Sequence, residues 1–265
     1  MRVIAVDWSG AMLDARRRIW LAETADQGCL TRLEAGRTRL ELTVQLISTL
    51  RRDSETVLGL DFAFSFPAWF TRQLGVQTAK QVWAHAAAHG EQWLADCLPP
   101  FWGRGARGRP LLDGPHYRRT ERDVPSHSGI RPKSIFQIGG AGAVGTGSVR
   151  GMPLLHALHT AGAHVWPFDA PGWPLVIEIY PRLLTGAVVK SSASARQAYL
   201  ERYPRLGWRH RRDAIASEDA FDAAVSALVM LEHVVELAQL PEELDPELRL
   251  EGRIWHPTSH RGEAK

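Results

Sequence analysis

Hydrophobic and polar positions alternate along the chain with two different periods, and the switches between them mark its elements. "RVIAVDWS" (2–9) is apolar and β-branched, and "RRIWLAETA" (17–25) and "CLTRLEAG" (29–36) follow after short polar gaps. This spacing predicts three strands joined by hairpins. In "TRLELTVQLISTLRR" (38–52) the period changes, with Leu40, Val44, Ile47 and Leu50 at helical spacing. "TVLGLDFAFSF" (56–66) reads as a buried strand that Pro67 ends, and "TAKQVWAHAAAHGEQWLADCL" (78–98) as a helix despite Gly90. From Pro99 to Ser134 the periodicity fades into Gly, Pro and Arg. That stretch is too long for an ordinary connection, so a functional insertion or substrate-facing loop is expected. A short strand, a Gly-rich turn and a helix are predicted over 134–162, and strands over 163–168 and 173–181. Helices near 192–202 and over 217–239 complete the set.

Without the insertion, the order is three antiparallel strands followed by parallel strand–helix units. It predicts an α/β fold with a mixed five-stranded sheet and helices on both faces. Ribonuclease H-like folds share this order, as does half an actin-like ATPase. The expected organisation is one domain over 1–240, an Arg/Gly-rich insertion at about 78–134, and a C-terminal tail at 241–265.

Composition narrows the class. The 265 residues are 45% hydrophobic and 23% charged, ample for a core and unlike a disordered chain. The two cysteines, Cys29 and Cys97, have no ligand-like spacing, which suits a reducing cytoplasm. The apolar run before Asp7 is short for a signal peptide, and no stretch is long enough for a membrane span. A cytoplasmic protein with no membrane partner is expected. The net charge is only +3, yet Arg104, Arg107, Arg109, Arg118, Arg119, Arg122, Arg131 and Lys133 face only Asp113, Glu121 and Asp123 between positions 104 and 133. "RLGWRHRR" (205–212) is a second basic cluster. Such clusters fit a phosphate-rich partner or an ordinary solvated surface.

The acids carry the chemistry. Asp7 ends "VIAVD", Asp61 interrupts "VLGLDFAF", and Glu178 interrupts "LVIEIY". Each lies where its neighbours demand burial, and an uncompensated buried carboxylate is costly. All three fall towards the C-terminal halves of strands, where open α/β sheets place their sites. "SEDAFDAAVSAL" (217–228) adds Asp219 and Asp222 on one helix face. Such a group needs cations, and Mg²⁺ or Mn²⁺ suits a set of carboxylates. Each acid also has a plain alternative: a helix-start acid behind an N-cap at Ser217, a turn at Asp7, or a partner such as Arg182 or a buried lysine for Asp61 and Glu178.

"AVDWSGA", "GLDFAFSFP", "KSIFQIGGAGAVGTGSVRGMP", "EIYPR" and "SEDAFDAAVSAL" together resemble the DUF429 family, predicted nucleases of the ribonuclease H-like superfamily. The resemblance runs from Asp7 to about Leu231, with a further match at "EGRIWHP". It implies a RuvC-like carboxylate set on Asp7, Asp61, Glu178, Asp219 and Asp222, with either helix acid as the direct metal ligand.

Arg118, Arg119, Glu121 and Lys133 are candidate substrate-phosphate contacts. Gly140 and Gly142, in "GGAGAVGTGS" before a helix, are candidates for cradling phosphate through backbone N–H groups. His85 and His89 are four apart on a helix, but no acid accompanies them. The leading expectation is a metal-dependent phosphodiesterase acting on nucleic acid. The alternatives are an actin-like ATP-binding or phosphotransfer protein and a nucleic-acid-binding protein with a vestigial site.

Overall fold

Seven strands form one mixed sheet in this computed structural model, which describes residues 1–25, 29–105, 107–125, 129 and 131–258. They are β1 (Arg2–Asp7), β2 (Trp20–Ala25), β3 (Cys29–Glu34), β4 (Thr56–Leu60), β5 (His164–Val165), β6 (Leu175–Ile179) and β7 (Ile254–Trp255). Their order is β3-β2-β1-β4-β6-β5, with β7 also paired to β6. β1, β2 and β3 are antiparallel, whereas every pair from β1–β4 onward is parallel. The expected change from antiparallel to parallel strands is therefore present, but the sheet has seven strands rather than five. β5 and β7 share the outer edge of β6: β5 pairs with Leu175 and Val176, β7 with Glu178 and Ile179.

Strand parity divides the core in two. Ile4, Val6, Leu58, Leu60 and Val176 face one layer, with the helices Arg39–Arg52, Ala79–Asp96 and Gly145–Thr160. Val3, Ala5, Val57, Ile177 and Ile179 face the other, with Glu218–Glu232 and the shorter helices Ala193–Leu200 and Trp208–Ala216. A helix layer on each face explains why the central strands are apolar throughout rather than alternating. The helix starts follow local chemistry. Thr38 with Glu41 and Thr78 with Gln81 form capping boxes, and Ser217 accepts the Ala220 N–H. Gly90 survives inside its helix because a Cβ there would stand 2.8 Å from Val149 Cγ1 on the neighbouring helix.

Several boundaries differ from expectation. The strand expected over 56–66 stops at Leu60, and the aromatic run beyond it leaves the sheet to pack Phe62, Phe64 and Phe66 into the first core. Around Gln137 there is only an isolated bridge to Trp102, not a strand. The helix expected over 217–239 breaks at His233 and resumes as Val234–Ala238. Trp208–Ala216 was hidden in a charge cluster because it buries only Ala214. Within the stretch expected as an insertion, Ala79–Asp96 belongs to the core layer. The rest is mostly irregular, with Ala106, residues 126–128 and Ile130 outside the described residues.

The tail expected at 241–265 needs correction as far as residue 258, with 259–265 outside the described residues. Ile254 and Trp255 pair with β6, and Glu251, 1% exposed, accepts the N–H groups of Ala68 (2.7 Å) and Arg119 (2.6 Å). Among the described residues, no helix is long and apolar enough to cross a membrane. Trp255 is 2% exposed in the second core. We expect Trp255→Ala to cost about 3–5 kcal/mol in urea unfolding, whereas a trailing tail would lose less than about 0.5 kcal/mol.

Candidate active site

β1 and β4 run parallel with Val6 opposite Leu60, so the next step along each strand sets Asp7 beside Asp61. The Asp61 N–H bonds to the Val6 carbonyl (3.1 Å) and extends the ladder by one residue. Asp7 shares its face with Val3 and Ala5, towards the helix Glu218–Glu232. That helix brings a buried Asp222, with Asp219 half-buried one turn earlier. Carboxylates from three elements thus meet at the C-terminal end of the sheet.

Their electrostatics follow from crowding without water. Burial, then Asp61, Asp222 and Asp219, push the Asp7 carboxyl well above the usual range. Burial and then Asp222 push Asp61 up to about 8, against Lys190 and a hydrogen bond with Asp7. Burial raises Asp222 and Asp219 as well. A hydrogen bond between two carboxyls requires a proton on one of them. The opposing cation is Lys190, whose Nζ pairs with Asp222 Oδ2. Asp222 Oδ1 is buried with no hydrogen-bond partner.

Among the described residues, no group of three or more His, Cys, Asp or Glu side chains stands ready to hold a metal ion. The donor chemistry nevertheless fits Mg²⁺ or Mn²⁺: hard carboxylate oxygens, mutually repelling, one of them orphaned. In the present arrangement the Lys190 ammonium is the cation paired with these acids.

Glu178 stands apart from Asp7 and Asp222, although its charge adds to the rise at Asp61, with which it lines one cleft. It lies level with Leu60, whose side chain faces the other layer, and so sits across the sheet from Asp7. Both its oxygens are engaged. Arg118 donates to Oε2 (2.8 Å) and Oε1 (2.5 Å), and the Phe64 N–H donates to Oε2 (2.9 Å). Arg118 also reaches Glu121 Oε1 (2.9 Å) and the Glu251 carbonyl (3.0 Å). Burial works against the Arg118 charge, yet Glu178 and Glu121 hold its pKa above the ordinary value. Burial pushes Glu121 up to about 7, against the pull of Arg118.

This corrects the expected phosphate contacts. Arg118 is 1% exposed and Glu121 3%, so both serve a buried ionic network. Arg119 is paired with Asp245 (2.5 Å) and Asp123 (3.4 Å). Arg182, a suggested partner for the strand acids, donates instead to the Gly186 and Val188 carbonyls.

Lys133 fares differently. It lines a cleft of about 790 Å³, together with Asp61, Glu178, Arg18, Arg104 and Arg150. One wall is the turn Trp8–Asp14, and another is the start of the helix Gly145–Thr160. These walls touch through backbone: a Cβ on Gly10 would stand 2.4 Å from the Gly147 N, and Trp8 Nε1 donates to the Gly147 carbonyl (3.0 Å). Arg150 donates to the Gly10 carbonyl and grips both Glu91 oxygens at 2.7 Å. Gly140 and Gly142 are exposed with φ of +78° and +73°, and a Cβ on Gly142 would lie 3.6 Å from Lys133 Cε. His85 and His89 merely pack edge to face, 5.5 Å apart.

Sequence reasoning reached Arg104 only as one of a basic cluster, and did not reach Lys190 or Arg150. Lys190 sits in "VVKSS", which carries no motif, and its role exists only because the fold returns it to Asp222. No family model matches the chain, and no curated protein or solved structure proved similar to it.

Two outcomes are expected. Asp61 ionises at about 8 when folded against an ordinary 3.8, so between those values the folded state holds a proton the unfolded chain lacks. That contribution is fully present below the lower value and is lost as pH rises through the upper one. Melting scans from pH 6 to 9 should show the native protein losing more stability than Asp61→Asn, by roughly 2–4 °C or more. Arg118→Met, which strands Glu178 and Glu121, should cost about 3–5 kcal/mol in denaturant titration, and adding Glu178→Gln should recover part of it.

Proposed function

We propose that the chain is a metal-dependent phosphodiesterase acting on nucleic acid, with Asp7, Asp61 and Asp222 as the principal ligands and Asp219 at their edge. The observation carrying this reading is the convergence of mutually repelling carboxylates, buried at Asp7 and Asp222 and half-buried at Asp61, from the ends of β1 and β4 and the helix Glu218–Glu232 beside a cation-lined cleft. A divalent ion bound there would supply charge neutralisation, Lewis acidity and water activation at the phosphorus. Asp7 and Asp61 are set side by side by the strand register, so their spacing is rigid and not loop-dependent. Lys133, Arg104 and Arg18 line the adjoining space where a sugar–phosphate backbone would lie, and Trp8 and Tyr180 give it an apolar side. Glu178 has a structural part in this scheme. It binds Arg118, which shapes the cleft floor.

The ribonuclease H-like reading of the fold belongs to the same proposal. It is supported by the three antiparallel strands, the parallel strands after them and the acids on β1, β4 and the last long helix. One observation favours the actin-like alternative: the Trp8–Asp14 turn meets Thr146 and Gly147 in the first turn of the helix Gly145–Thr160 beside the cleft, as a phosphate-gripping loop would meet a helix start.

The test is cleavage of end-labelled single- and double-stranded DNA and RNA with Mn²⁺, run beside Asp7→Asn and an ATP titration. We expect cleavage that the variant loses by about 100-fold or more while melting no lower than the native protein. ATP binding without cleavage of any strand would favour the alternative.

A further inference from the structure

Lys190 is a cation that none of the expected chemistry uses. It sits in the connection between β6 and the helix Ala193–Leu200, and its side chain is 17% exposed. Its Nζ pairs with Asp222 Oδ2, where a divalent ion would need an oxygen. Burial raises all four acids, Asp7, Asp61, Asp219 and Asp222, and Lys190 opposes the rise at every one. Arg18 acts in addition on Asp219, and Arg182 on Asp222.

The lysine is also held in place from behind. Arg196, 5% exposed, donates to the Lys190 carbonyl and to the Ile215 carbonyl, the latter through Nε at 2.9 Å. Ile215 lies in the last turn of the helix Trp208–Ala216, which leads into Ser217 and the acid-bearing helix. One buried guanidinium thus ties the backbone that carries the cation to the segment that carries Asp222. The ammonium, in contrast, ends a flexible four-carbon stem and can leave without moving that backbone.

We propose that Lys190 is a tethered competitor for the divalent ion, occupying Asp222 while the site is empty of metal and leaving it when metal binds. The inference rests on the metal-site reading and adds a control on its occupancy. A divalent ion and the ammonium repel each other strongly at Asp222 Oδ2, so an ion that takes this oxygen displaces the ammonium. The apparent metal affinity is then lowered by the fraction of molecules in which Lys190 holds the carboxylate. With the ammonium gone, Asp222 offers both the released Oδ2 and the orphaned Oδ1.

The experiment is calorimetric titration of the EDTA-stripped full chain with Mn²⁺, for the native protein, Lys190→Met, Lys190→Arg and Asp222→Asn. Metal-free melting temperatures are measured in parallel. Lys190→Met is expected to bind Mn²⁺ roughly tenfold or more tightly, as it would if the engaged form outnumbers the free form by about ten to one. It should also melt lower without metal and recover when Mn²⁺ is added. Lys190→Arg, which keeps the charge, should bind no more tightly than the native protein, and Asp222→Asn should bind least. Native and Lys190→Met proteins that bind Mn²⁺ equally would overturn the competitor role and leave the metal site standing. Absence of Mn²⁺ binding in both would overturn the metal-site reading itself, and the inference with it. If Lys190→Met fails to fold without metal, Lys190→Gln takes its place in the titration: tighter Mn²⁺ binding than in the native protein supports competition, and equal binding overturns it.

Discussion

A guanidinium sealed from water is the interaction on which the cleft side of the molecule depends. Arg118 meets Glu178 on β6, Glu121 on its own short helix and the Glu251 carbonyl near the C-terminal strand. A charge so deeply buried is tolerated only when each of its donors is answered. The network therefore imposes conditions on three remote stretches of chain at once. It places the Arg-rich segment against the sheet, brings residues 248–255 back to β6, and takes Glu178 away from the acids it resembles in sequence.

That division is enforced by parity. Adjacent residues of a strand point to opposite faces, so a one-residue offset decides whether an acid meets another acid or an arginine. Val6, Leu60 and Glu178 form one row, while Asp7 and Asp61 form the next. The first row faces the Gly145–Thr160 layer and the second the Glu218–Glu232 helix. Two acid systems lie at one end of the sheet, each compensated in its own way: one by a guanidinium, the other by an ammonium.

The elements with strong periodicity were legible in the sequence. The capped helices Arg39–Arg52 and Ala79–Asp96 and the strand order through β4 follow from spacing and local chemistry alone. So did the suspicion attached to Asp7, Asp61 and the two helix acids, because acids in apolar segments need a reason. The face taken by Glu178 was not legible, since "LVIEI" reads the same in either register and only pairing to β4 decides. Arg118 read as a phosphate contact because two of its partners, Glu178 and the Glu251 carbonyl, lie 60 and more residues away. β7 escaped notice because two residues are too few to show a period. Lys190 escaped for the same reason as Arg118: a cation's role depends on what the fold brings opposite it.

The order of synthesis gives the Arg118 network a temporal side. A ribosome delivers β6 and the Arg-rich segment well before Glu251 and β7 emerge. Until then the outer edge of β6 beside Glu178 is bare backbone, and the Arg118 donor meant for the Glu251 carbonyl has only water. The nascent chain can collapse around its sheet but cannot close over it. The cleft floor is among the last parts to set, and the final strand works as the fastener of a fold begun at the other end.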